Sequence, residues 1–135
     1  MVGEVLGNLK LLVVIVSIIA AIVAGVGIIN TMLMSVMERT KEIGTLKAVG
    51  WTNTNVMSMI ILESAFIGII GGIIGIAFGY FCSFMLGYLG GVPTYVTLTT
   101  IIESFVFAIV IGIVGGAYPA YVASKLDPIE ALRSE

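Results

Sequence analysis

The sequence predicts an all-α integral membrane protein with three transmembrane helices, and three observations lead to this prediction. Of the 135 residues, 59% are hydrophobic and only 10% are charged, whereas about a quarter of the residues in a soluble domain are charged. The charged residues leave three uncharged stretches, each long enough to cross a bilayer as a helix. Five of the six Lys and Arg residues lie between the first two stretches or after the third, where cytoplasmic segments are expected.

The first predicted span covers residues 9–31. Residues 11–37 contain no charge, and a helix of that length measures about 40 Å, more than the ~30 Å of the hydrocarbon core. We therefore expect the helix to continue beyond the membrane. A secretory signal has an apolar region of only about 7–15 residues, so the stretch is interpreted as an uncleaved span.

The second predicted span covers residues 58–86, and its only charge is Glu63. Residues 64–86 alone are long enough to cross the membrane. The following residues, 87–100, are uncharged and contain the turn sequence Gly90-Gly91-Val92-Pro93. We interpret them as an external loop.

The third predicted span covers residues 101–123 and is followed by a cytoplasmic tail at residues 124–135. Within the tail, Asp127-Pro128-Ile129-Glu130 has the form of a capping box, with Asp at the N-cap, Pro at the first helical position and Glu at the third. This pattern predicts a short C-terminal helix that continues through Arg133.

The cytoplasmic loop at residues 38–52 carries five of the fourteen charged residues of the chain. A helix in this loop would have a charged side and an apolar side. The charged side would contain Glu38, Lys41 and Glu42, and the apolar side Val36, Ile43 and Gly44. Such a helix is suited to docking on a cytoplasmic protein. The alternative interpretation is a solvated connector that places positive charge inside.

Two glycines predict where the helix of this loop bends and ends. Gly44 weakens a helix by about 1 kcal/mol relative to alanine, so we expect a bend there. Gly50 is followed by Trp51-Thr52-Asn53, which predicts a helix stop and then a new start. Thr52 or Asn53 is the expected N-cap, and Trp51 is expected at the membrane interface.

The basic residues also predict the orientation in the cell (plasma) membrane. Arg39, Lys41 and Lys47 lie in the 38–52 loop, whereas the predicted external loop has no basic residue. The N-terminus is therefore predicted to lie outside and the C-terminus in the cytoplasm. An external N-terminus usually follows an earlier span, so we expect an upstream span and an external segment to precede this sequence.

Small residues recur at intervals of four in the second and third spans. The glycines concerned are Gly68, Gly71, Gly72, Gly75, Gly79, Gly112 and Gly116. This spacing lets helix backbones approach closely where lipid offers no hydrophobic driving force. We expect these glycines to pack helices together, either within the chain or between two copies.

The composition excludes several kinds of site. The sequence has no His, one Cys (Cys82) and one Asp (Asp127), which excludes a His/Cys zinc site, an internal disulfide and a Ser-His-Asp triad. The glycine-rich residues 71–79 include no Lys, so they do not form a P-loop. The basic residues form no run, which argues against nucleic acid as a partner. We expect no catalytic residue, no metal and no cofactor in this chain.

Glu63 and Glu103 are the only acids near the membrane interior. An ionisable residue in a span is a candidate functional group, and a buried Glu63 would suit a small proton-coupled secondary transporter. The alternative is that both residues mark the membrane interface. A third interpretation is a structural membrane subunit, in which the glycines matter and the charged loop does not.

Two separated motifs resemble the FtsX-like (MacB-type) permease family of ABC transporters. The first comprises Gly27-Ile28-Ile29-Asn30-Thr31-Met32, Ser35-Val36-Met37-Glu38-Arg39-Thr40-Lys41-Glu42-Ile43-Gly44 and Lys47-Ala48-Val49-Gly50. The second comprises Gly116-Ala117-Tyr118-Pro119-Ala120, Ala123 and Asp127-Pro128-Ile129-Glu130-Ala131-Leu132-Arg133. The resemblance covers nearly the whole chain.

The resemblance implies four spans per permease and a large extracytoplasmic domain, of which this chain would supply the last three spans. It also implies a dimer with a second permease copy or homologue in the membrane lipid, and a separate cytoplasmic ABC ATPase. The loop would then include a coupling helix that contacts the ATPase. The residues given this role by resemblance are Glu38, Arg39, Lys41, Glu42, Ile43, Gly44, Lys47 and Gly50. The charged ones would pair with the ATPase, Ile43 would fill an apolar pocket and the glycines would permit the bend.

Overall fold

The computed structural model describes residues 2–91 and 94–133, and the regular structure within them is entirely α-helical. The helices in chain order are α1 (Val2–Glu38), α2 (Thr40–Ala48), α3 (Asn53–Gly90), α4 (Leu98–Ser124) and α5 (Pro128–Arg133). By length and composition, α1, α3 and α4 can each cross a membrane. The predicted all-α fold with three spanning helices is confirmed, and α2 and α5 are the predicted short helices.

α1 is longer than the span predicted at residues 9–31. It contains 37 residues, which corresponds to about 55 Å, so it continues beyond the hydrocarbon core as expected. Residues 3–20 are exposed on every side within this chain. Because these residues are apolar around most of the helix, lipid or another protein must cover them.

The connection between α3 and α4 is shorter than the external loop predicted at residues 87–100. α3 continues to Gly90, and Gly91 is its C-cap in the left-handed conformation, with φ 62°. Glycine adopts this conformation without steric cost. Val92 and Pro93 of the predicted turn lie outside the described residues.

α3 and α4 are antiparallel and cross where Gly68 meets Gly112. A Cβ added to Gly68 would lie 2.8 Å from the carbonyl oxygen of Ala108, and one added to Gly112 would lie 2.7 Å from that of Ser64. Neither position has room for a side chain, so glycine is what permits this approach. Gly72 and Gly116 lie buried in the same contact.

The second set of glycines on α3, spaced by four residues, has no packing partner among the described residues. A Cβ on Gly71, Gly75 or Gly79 would meet nothing within 4 Å. These three glycines therefore pack no helix of this chain, and packing between two copies stays a prediction for them.

The apolar core lies at one end of the bundle, which we call the charged end. It is formed by the last turns of α1, by α2, by the first turns of α3, by the last turns of α4 and by α5. The buried core residues are Met32, Val36, Ile43, Val56, Ile60, Ala120 and Ala123. This cluster fixes α2 against three other helices.

Candidate functional site

α2 lies at the charged end with one face buried and one face exposed. Ile43 is 2% exposed and Gly44 is buried, whereas Lys41, Glu42 and Thr45 are exposed. The predicted division of this segment into an apolar side and a charged side is confirmed.

The predicted bend at Gly44 is wrong, because α2 passes through this residue without interruption. The break lies earlier, at Arg39, where α1 ends and the Thr40 hydroxyl donates to the carbonyl of Val36 at 3.1 Å. Gly44 is needed for space instead. A Cβ there would lie 2.7 Å from the Cβ of Ala131 on α5.

α2 ends at Ala48 with Val49 as its C-cap, and Gly50, where a stop was predicted, follows the cap. Gly50 has φ 108°; its amide donates to the carbonyl of Lys47 at 3.1 Å, and the Trp51 amide donates to that of Leu46 at 3.0 Å. Together these bonds form a Schellman C-cap. Thr52 then caps α3, and its hydroxyl accepts a backbone amide of the first turn at 3.3 Å. This resolves the choice between Thr52 and Asn53.

Arg39 forms an ion pair within the chain that joins the α1–α2 junction to α3. Its Nη1 donates to both carboxylate oxygens of Glu63, at 3.1 and 3.2 Å, and its Nε lies 3.8 Å from Glu42. The Arg39 and Glu63 side chains are 48% and 36% exposed. Because solvent screens such a pair, its contribution to stability is about 0–1 kcal/mol.

Ile43 is buried within its own chain, which argues against the expectation that it fills an apolar pocket of the ATPase. Its side chain is buried among Val36, Ile60 and the other core residues of the same chain. A short helix needs an apolar surface to pack on, and this chain provides that surface itself.

Lys47 is also directed into the fold. Its ammonium donates to the carbonyl of Ser124 at 2.9 Å and to that of Leu126 at 2.6 Å. These carbonyls lie at the C-terminal end of α4, where helical partners are missing and a positive charge is favourable. Lys47 therefore caps α4.

The remaining exposed residues form a surface that we call the α2 outer surface. Its members are Glu38, Lys41, Glu42, Thr45, Ala48 and Val49. This surface carries charges of both signs and includes Val49, which is 80% exposed. The combination suits docking of a protein through ion pairs and an apolar contact. Among the described residues, no group of His, Cys, Asp and Glu side chains could hold a metal ion.

Sequence reasoning missed several residues that position this end of the molecule. Ser64 has 0% exposure and faces Gly116, and Gly115 brings α4 close to Ile28 of α1. The sequence could have pointed to Gly115, because it lies next to Gly116 in the small-residue pattern of the third span. The Arg39–Glu63 pair gave none, because 24 residues separate the two.

α5 begins with the predicted cap. The Asp127 carboxylate accepts the Ile129 amide at 2.8 Å, and Pro128 is the first helical residue. The side chain of Glu130, the third member of the predicted box, lies outside the described residues. This cap places α5 directly after α4 and against α2.

The sequence is similar to known membrane proteins over most of its length. It is 45% identical over 128 residues to the macrolide export ATP-binding/permease protein MacB of Bdellovibrio bacteriovorus, with 95% of this chain and 20% of that protein covered. It is 39% identical over 117 residues to the uncharacterized ABC transporter permease YknZ of Bacillus subtilis (87% and 30% covered). It is 38% identical over 141 residues to the uncharacterized ABC transporter permease MJ1507 of Methanocaldococcus jannaschii (99% and 35% covered).

The chain thus spans between a fifth and about a third of the length of these relatives. Residues 14–128 match the family described as FtsX-like permease C-terminal. The three apolar helices agree with that description. This chain is a multi-pass membrane protein and belongs to the FtsX-like permease C-terminal family.

Proposed function

We propose that this chain is the C-terminal membrane part of an ABC transporter permease. It couples a separate cytoplasmic ATPase to export or to mechanical work across the membrane. The observation that carries this proposal is the α2 outer surface: α2 is held by its own chain through its apolar face, and it presents a charged face outwards. Membership of the family and the permease names of its relatives support the same function.

The proposed orientation places the charged end in the cytoplasm. The N-terminus is outside the cell, and residues 9–31, 58–86 and 101–123 form the spans, with Glu63 at the cytoplasmic interface of the second span. Five of the six Lys and Arg residues belong to the segments placed inside, as the positive-inside rule requires. In the complete transporter a second permease copy or homologue forms a dimer with this one.

The chain is proposed to be non-catalytic, with ATP hydrolysed by its partner. The sequence contains no P-loop. The MacB relatives are named as both ATP-binding and permease proteins, whereas YknZ is named as a permease. These names describe the relatives. For this transporter we propose that the ATPase is a separate polypeptide.

A proton-coupled carrier that uses Glu63 is less well supported. Such a carrier needs an acid that loses and gains protons in a secluded site. Glu63 instead accepts two hydrogen bonds from Arg39 and is partly exposed near the charged loop. These contacts favour a structural ion pair.

The proposed docking surface is tested by Glu42→Lys in the complete transporter. Glu42 is 75% exposed, so its reversal should leave membrane insertion intact. Like charges brought together at an interface cost several kcal/mol, so co-purification of the ATPase should fall by at least about tenfold. Co-purification in nanodiscs measures this directly.

The matched control is Glu4→Lys, the same charge reversal at an exposed residue near the other end of α1 and outside the predicted span. It should leave ATPase co-purification at the wild-type level. Equal binding of the ATPase to wild type and Glu42→Lys would contradict a role of the α2 outer surface in docking.

A further inference from the structure

Lys47 attaches α2 to the end of α4 across 77 residues of sequence. Its ammonium is shared by two carbonyls, those of Ser124 and Leu126. Ser124 is 4% exposed in the folded chain, so the ammonium takes the place of water as the partner of this carbonyl. The bond to a charged donor is therefore costly to lose.

A second contact attaches α2 to α5. Gly44 lies against Ala131, which is 3% exposed, and a Cβ on Gly44 would overlap it. Only three residues separate the end of α4 from the start of α5, and the last of them, Asp127, caps α5. The two contacts hold α2 between the end of α4 and α5.

The junction between α2 and α1 is of a different kind. The helix is interrupted at Arg39, and the Arg39 side chain is directed to Glu63 of α3. The Thr40 hydroxyl donates to the last carbonyls of α1. Backbone bonds from Arg39 to Ser35 and from Ile43 to Arg39 also cross the junction. α2 is therefore joined to α1 by an interrupted helix and the shared core, and to α4 and α5 by the ammonium and glycine contacts.

We propose that α2, α5 and the last turn of α4 move as one body, and that Lys47 is the positioning residue that fastens α2 to α4. The proposal rests on the proposed function, because the ATPase is the partner that displaces α2. A displacement of α2 then reaches α4 directly. From α4 it passes to α3 through the crossing of Gly68 and Gly112.

The experiment measures the distance between α2 and α5 with spin labels. Trp51→Cys, in the Schellman cap of α2, and Ile129→Cys on α5 place the labels on exposed sites outside the α2 outer surface. The background is a full-length permease that carries Cys82→Ser and has no other thiol. The distance distribution is recorded for the permease alone and for its ATPase complex with and without trapped ATP.

Three variants distinguish the hydrogen bonds made by Lys47 from the effect of a positive charge at this end of α4. Lys47→Met removes the ammonium, and Lys47→Arg keeps a cation that can donate to the same carbonyls. Lys125→Met is the matched control, since it removes an exposed cation at the same end of α4 without touching α2.

We expect one narrow distance in wild type, unchanged by ATP. Lys47→Met should broaden it, while Lys47→Arg and Lys125→Met keep it narrow. Lys47→Met should also retain the ATPase yet lower permease-stimulated ATP hydrolysis by at least about tenfold, since it removes both hydrogen bonds of the charged ammonium. Retained binding distinguishes this residue from the docking residue Glu42.

A narrow distribution in Lys47→Met would overturn the proposal, as would a wild-type α2–α5 distance that shifts with ATP. If the ATPase fails to bind even the wild-type permease, the proposed function fails. The distributions of the permease alone then still decide whether Lys47 fastens the two helices.

Discussion

Gly116 and Ser64 are a matched pair at the contact between α3 and α4. The Ser64 side chain is fully buried, and its hydroxyl donates to the carbonyl of Ile61 at 2.8 Å. A Cβ on Gly116 would overlap both Oγ and Cβ of Ser64. Because Cβ has no rotamer, the serine cannot avoid the overlap by turning about χ1.

Gly116→Ala should therefore destabilise the helix pair. Overpacking of this kind costs about 1–3 kcal/mol, measured as a loss of thermal stability in detergent. Adding Ser64→Gly to Gly116→Ala should restore part of the loss. The control is Gly75→Ala, which enters open space and should not lower the stability of the monomer. Equal stability of wild type and Gly116→Ala would contradict the observed packing.

The three basic residues of the 38–52 loop have different surroundings despite their similar chemistry. Arg39 pairs with Glu63, Lys47 caps α4, and Lys41 is exposed. Of the three, only Lys41 has an exposed side chain without such a contact to the described residues, and the acids Glu38 and Glu42 near it are also exposed. These are the charges that a partner can reach. A charge count over this loop therefore overstates the number of charges that can dock.

At the scale of elements, α2 is held by its apolar face and by its contact with α5. Ile43 contributes to the core that α1, α3 and α4 also form. Its role in docking is therefore indirect, because it sets the position of the helix that carries the outer surface.

Ile43→Ala should loosen α2 without preventing membrane insertion. Truncation of a buried Ile costs about 2–5 kcal/mol, enough to detach a helix of nine residues. We expect faster amide hydrogen exchange in α2 of the permease alone, together with weaker ATPase co-purification. Glu42→Lys is the comparison, since it should weaken co-purification while α2 exchange in the permease alone stays at the wild-type rate. Unchanged exchange in Ile43→Ala would show that this side chain does not hold α2.

At the scale of the whole molecule, the helices differ in how much of their surface the chain covers. α3 and α4 share the glycine crossing, whereas the first half of α1 is exposed throughout. The helix makes its own backbone hydrogen bonds, but its apolar side chains have no packing partner within the described chain. Lipid or a second polypeptide must therefore cover that part.

The orientation of the whole molecule is tested by thiol labelling. In a Cys82→Ser background, Thr94→Cys should react with an impermeant reagent from outside, and Thr45→Cys only after the membrane is opened. The reason is the placement of Arg39, Lys41 and Lys47 on the Thr45 side. The reverse labelling pattern would remove α2 from any cytoplasmic ATPase and contradict the proposed function.

The sequence by itself determined the fold class, because three long uncharged stretches permit few structures in lipid other than helices. It also predicted the local caps at Gly50 and Asp127 and limited the N-cap of α3 to Thr52 or Asn53, since each cap depends on residues within one helical turn. The two motifs of the loop and the tail identified the family before any contact was known.

Only the tertiary structure decided what the residues of the 38–52 loop do. The roles of Gly44, Ile43 and Lys47 depend on Ala131, on the shared core and on the end of α4, which are distant in sequence. Periodicity identifies the apolar side of a helix, but not which surface covers it. For α2 that surface belongs to its own chain, because the antiparallel return of α4 brings the C-terminal residues back beside the loop.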